Sequence, residues 1–74
     1  MTRLPALRPR EVVRALEKAG FTVVRTRGSH HQLYNLATGA RVTVPFHGRD
    51  LSRGTLTAII HQAGLSVDDF LKLI

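Results

Sequence analysis

The sequence predicts an α+β domain of two layers, in which a three-stranded antiparallel sheet carries helices on one face in the order α-β-β-β-α, followed by a short helical tail. Three observations lead there. Apolar residues recur at helical spacing near both ends of the chain, β-branched segments fill the middle, and glycine-containing turns separate those segments. With 74 residues the chain has room for a single domain, spanning 1–74, and residues 1–8 read as a flexible lead-in.

Each element has its own justification. Pro9 suits the first turn of a helix, where its missing N–H costs nothing, and Val12, Val13, Leu16 and Ala19 then form one helical face that Gly20 closes. Phe21 to Thr26 is a β-branched stretch, and the turn residues Gly28-Ser29 lead to a second strand over His31 to Asn35, making a hairpin. Ala37-Thr38-Gly39 turns the chain again, and Arg41-Val42-Thr43-Val44 alternates with period two until Pro45 stops it. A polar connection from Phe46 to Leu51 follows. Ser52 is a good N-cap for a helix over residues 53–63, whose stripe is Leu56, Ile59, Ile60 and Ala63 and whose end is Gly64. Ser66-Val67-Asp68-Asp69 reads as a capping box opening a short terminal helix, with Phe70, Leu71 and Ile74 as its apolar members. The sheet face away from the helices is left open to solvent or a partner.

Composition narrows the function. There is no cysteine, which excludes a disulfide framework, a Cys-ligated zinc site, an iron–sulfur cluster and a thiol nucleophile. No run of apolar residues is long enough for a membrane span, and Met1-Thr2-Arg3-Leu4-Pro5 lacks the apolar core of a signal peptide, so a cytoplasmic protein is expected. Lys+Arg is 11 against Asp+Glu at 5, a net charge of +6 that points to a polyanionic partner. Between Lys18 and Val67 the bases are Lys18, Arg25, Arg27, Arg41, Arg49 and Arg53, and the single acid is Asp50. The polyanion therefore meets the middle of the chain. Nine of the bases are Arg, whose planar fork suits phosphate.

The densest chemical signal is Arg25-Thr26-Arg27-Gly28-Ser29-His30-His31, two guanidiniums, a hydroxyl and two imidazoles around a glycine turn. Adjacent strand residues face opposite ways, so one histidine is expected to act and the other to pack. Leu33 marks the packed face, which takes His31 with it and leaves His30 outward beside Gln32 and Tyr34. Imidazole titrates close enough to neutrality to serve as base or acid, and neighbouring guanidiniums hold a phosphate. RNA unites these groups, because its 2′-OH is an internal nucleophile that needs a base, an acid and charge stabilisation, with no metal or other cofactor. The plain alternative for His30 is a surface histidine at a strand end. Ser29 shapes the turn or bonds a phosphate, and His47 is a second candidate proton donor or phosphate ligand, or else a loop histidine bonded to backbone. Arg49 and Arg53 flank the start of the second helix, where an anion is favoured, unless that helix is merely capped and its arginines solvated. His61 lies beside the apolar stripe and is assigned no role.

Four pieces of the chain then carry a resemblance: Gly20-Phe21 closing the first helix, Gly28-Ser29-His30 at the hairpin, Val44-Pro45-Phe46-His47 after the third strand, and Gly54-Thr55-Leu56 with Ile59 and Ala63-Gly64 in the second helix. In this order and spacing, over about residues 8–66, the chain resembles the HicA, or YcfA-like, toxins. The resemblance implies a fold similar to a double-stranded-RNA-binding domain. It also implies an mRNA-cleaving endoribonuclease of a type II toxin–antitoxin pair, with His30 as the essential catalytic residue and Gly28 as a structural member of the motif. The partner it implies is a HicB-type antitoxin that covers the active site. Arg25, Arg27, Ser29, Arg41, His47, Arg49 and Arg53 are the candidate RNA contacts. Many relatives carry a basic residue in the second strand near Tyr34, where this chain has Tyr34-Asn35-Leu36. The reading that competes is a non-catalytic RNA-binding module of the same fold.

Overall fold

A computed structural model describes residues 3–74. Helix α1 (Pro9–Lys18) is followed by strands β1 (Phe21–Arg27), β2 (His30–Asn35) and β3 (Arg41–Pro45), then helices α2 (Arg53–Gln62) and α3 (Val67–Leu71). The sheet order is β1-β2-β3, antiparallel throughout, so each strand lies beside its neighbour in sequence. The α-β-β-β-α order is the one the periodicity predicts. The first strand runs to Arg27 and the second starts at His30, each one residue beyond the expected bound.

The helices form because their apolar stripes have somewhere to go. Val12, Val13, Ala15 and Leu16 of α1 are buried, as are Leu56, Ile59 and Ile60 of α2, and they meet Phe21, Leu33, Val42 and Val44 from one face of the sheet. Burying each large side chain stabilises the fold by roughly 1.5–3 kcal/mol relative to exposure. Pro9 opens α1, and the Glu11 side chain reaches back to accept the Arg8 N–H at 2.9 Å. Ser52 caps α2 and Ser66 caps α3, accepting from the N–H groups of Thr55 and Asp69. Of the apolar tail, Phe70 is fully buried, whereas Ile74 is 49% exposed. Helix α3 is only five residues long and ends before it can turn Ile74 inward.

Two connections fix the layers together. Asn35 is buried at the end of β2, where its Nδ2 donates to the Ala19 carbonyl at the C-terminus of α1 (3.3 Å) and its Oδ1 accepts from Ala37 and Thr38 N–H (3.0 and 3.3 Å). One amide thus satisfies an orphan helix carbonyl and shapes the β2–β3 turn. Gly20 makes room for it. Its φ is +102°, and a Cβ there would come 3.3 Å from Asn35 Nδ2. At the other end, the buried Leu51 donates its N–H to the carbonyl of buried Leu7 (2.8 Å), and Leu4 packs on the core. The expected lead-in over residues 1–8 extends to Met1 and Thr2, which lie outside the described residues.

Candidate functional site

The site begins with a turn. Gly28 has φ +57° and Ser29 does not share that sign, which is the pattern of a two-residue II′ hairpin with glycine first. This turn sets Arg27 opposite His30, and the ladder continues with Thr26 opposite His31 and Arg25 opposite Gln32. Residues paired across a ladder share a face, and successive residues of one strand alternate. His31 and Leu33 therefore face the helices, across from the buried Val44 and Val42. His30, Gln32 and Tyr34 face outward.

A bulge decides where the arginines point. The register shifts between Val23 and Arg25, leaving Val24 unpaired and 54% exposed. Strict alternation from the buried Phe21 would turn Arg25 and Arg27 toward the core. The extra residue reverses them, so both join His30 on the outer face. From the other side, β3 contributes Arg41, opposite Tyr34, with its guanidinium 4.7 Å from the Tyr34 ring centroid. The ring takes a cation–π contact and holds that charge over the sheet. Although β2 has no base near Tyr34, its neighbour supplies one. The strands contain no Asp or Glu; the five acids lie in α1, in α3 and at Asp50 before α2.

His31 has a different setting. Its ring stacks on Phe46 with centroids 4.0 Å apart and planes 15° from parallel, and its Nδ1 is buried without a hydrogen-bond partner. Phe46 follows β3 directly, and its N–H donates to the Ser29 carbonyl, so the stack and this bond clamp the end of the hairpin. The stacked pair makes the inner face of the β2 end a packing surface.

The remaining sequence candidates divide. Arg25, Arg27 and His30 come together on the outer face, with Gly28 and Ser29 at its rim, and Arg41 joins the same face at the far end of β2, opposite Tyr34. His47 and Arg49 lie in the β3–α2 loop, exposed, where His47 Nδ1 accepts the Arg49 N–H at 3.2 Å, so the neutral ring keeps its proton on Nε2. Arg53 is the first residue of α2, lining a separate cleft of about 200 Å³ with Leu4, Pro5 and Leu51. The N-terminus of that helix is occupied by its own cap, since Ser52 also bonds the Thr55 hydroxyl (2.9 Å). Ser52 caps the helix, and Arg49 and Arg53 both lie exposed beside its start. Sequence reasoning missed Arg8, Arg10 and Glu11, which meet Phe46 and His47 around a cleft of about 380 Å³ at the start of α1. Their convergence depends on how α1 crosses the end of the sheet, for which no local signal exists. Among the described residues, no three His, Asp or Glu side chains are grouped as metal ligands, and no helix is long and apolar enough to cross a membrane.

Comparison with known proteins identifies the family. The family model described as the HicA toxin of bacterial toxin–antitoxin systems matches residues 9–65, from the first residue of α1 to just past α2. No curated protein matches the chain. The matched region holds both the sheet that carries His30 and the helices that support it, and the chain belongs to the HicA toxin family.

Proposed function

We propose that this toxin is a metal-independent endoribonuclease that cleaves mRNA in the cytoplasm, with His30 as general acid/base. One observation carries the reading: His30 stands exposed on a sheet face shared with Arg25, Arg27 and Arg41 and free of carboxylates. The guanidiniums hold the RNA backbone and offset charge that develops on the scissile phosphate. The His30 imidazole takes the proton of the 2′-OH, the 2′ oxygen attacks the adjacent phosphorus, and the bond from phosphorus to the 5′ oxygen breaks. That leaving oxygen takes a proton from the imidazolium or from water. Such a reaction leaves a 2′,3′-cyclic phosphate and a 5′-hydroxyl.

Membership of the family implies an antitoxin partner. A HicB-type antitoxin presenting acidic groups would complement the outer face and exclude RNA from it.

The test is an RNA digest in EDTA, run with wild type and His30→Ala, together with RNA binding by both. The expected result is cutting by wild type, a fall of at least about a hundredfold in His30→Ala, and nearly equal affinity, because affinity comes from the arginines. Binding without cutting by wild type would replace this reading with the non-catalytic module.

A further inference from the structure

The cleft at the start of α1 has a wall of mixed chemistry that backbone binding alone does not need. Arg8 and Arg10 bring positive charge, Glu11 a carboxylate, Phe46 an aromatic ring and His47 an imidazole. A site for phosphate alone is weakened by a carboxylate, which repels the anion. A nucleotide matches the whole set. It offers a phosphate to the guanidiniums, a flat ring to the aromatic, and N–H donors on its base edge to the carboxylate. Proteins that bind single-stranded RNA combine these same three contacts.

The wall is preorganised for such a ligand. His31 stacks on Phe46 at 4.0 Å and so backs the ring, and Phe46 lines the cleft. The Arg8 N–H holds Glu11 through one carboxylate oxygen at 2.9 Å. Arg8 also meets Asp50 at 3.9 Å, but both side chains are more than half exposed and a contact of this kind holds weakly. The location is equally specific. Phe46 follows Pro45, the strand partner of His30, so the cleft lies at the His30 end of the sheet, against α1 and the inward His31–Phe46 pair, while His30 itself faces the other side.

We propose that this cleft is a subsite for one unpaired nucleotide of the bound RNA, with its base on Phe46, its donor edge toward Glu11 and its phosphate met by Arg8 and Arg10. Guanine is the favoured base, because its adjacent N1–H and N2–H groups match a carboxylate. The subsite rests on the ribonuclease reading above and gives that activity a sequence preference.

The experiment uses His30→Ala protein, which leaves the RNA intact, and four hexauridine-based RNAs that carry G, A, C or U at one internal position. The G-containing RNA is expected to bind about fivefold or more tightly than the others. Adding Glu11→Gln removes that preference while keeping the helix cap, since the glutamine amide oxygen accepts the same Arg8 N–H. Adding Phe46→Leu weakens all four, with thermal melting to show that the variant is folded. Equal affinity for the four RNAs, or a G preference that survives Glu11→Gln, would overturn the subsite. Failure of wild type to cut RNA in the separate digest would remove the ribonuclease reading, and the four-RNA comparison would still decide the cleft.

Discussion

His30 and His31 are adjacent in the chain and belong to different parts of the molecule. The pleat alone separates them, putting one imidazole among arginines and the other against Phe46. Their substitutions are expected to diverge accordingly. His31→Ala removes a stacked ring and lowers stability by about 1 kcal/mol, read as a drop in the denaturation midpoint. Asn35→Ala is the more damaging change, because it strands the Ala19 carbonyl and two turn N–H groups at once. A loss of about 1–3 kcal/mol is expected, and chemical denaturation measures it. At this scale the sequence was readable for the histidines, since Leu33 identifies the buried face by simple alternation. It was silent on the role of Asn35 in joining the layers, because the Ala19 carbonyl it reaches lies at the end of another element.

At the scale of elements, the hairpin shows how local geometry selects chemistry. The turn needs a residue at φ +57°, where an L side chain is strained by about 1–2 kcal/mol. Gly28→Ala is expected to cost that much and to lower activity by loosening the position of His30, and melting with a parallel RNA digest separates the two effects. Ser52→Ala tests the helix layer, with an expected loss of about 1 kcal/mol from the uncapped α2 and little change in RNA affinity. Helices, turns and caps were legible here because glycine, proline and serine mark them within a few residues. The bulge at Val24 was not. Nothing in Phe-Thr-Val-Val-Arg-Thr-Arg distinguishes a bulged valine from a paired one, and yet that single residue turns Arg25 and Arg27 outward. The register is decided by β2, whose His31 and Leu33 must stay on the core side.

The whole molecule is a small core under a charged sheet. Phe70 is fully buried and joins α3 to the rest, so Phe70→Ala is expected to cost about 3–5 kcal/mol. A core in a domain of this size rarely supplies more than about 3–5 kcal/mol in total. The variant should therefore lose its cooperative melting transition. The acids are kept to α1, α3 and Asp50, while the strands carry Arg25, Arg27 and Arg41 and no acid. Replacing any one of these arginines by Gln is expected to flatten the dependence of log affinity on log salt by about 0.7 for single-stranded RNA. The net charge and its central location were plain in the sequence. The cleft formed by Arg8, Arg10 and Glu11 with Phe46 was hidden, because it exists only where α1 meets the loop after β3.

The central claim is that the outward histidine does the chemistry and the inward one holds the fold. The most direct measurement is the rate of RNA cleavage in EDTA by wild type, His30→Ala and His31→Ala, with the melting temperature of each. The account predicts that His30→Ala loses cutting at an unchanged melting temperature, whereas His31→Ala melts lower and retains cutting at temperatures where it stays folded. Loss of cutting in folded His31→Ala, with His30→Ala still active, would contradict it.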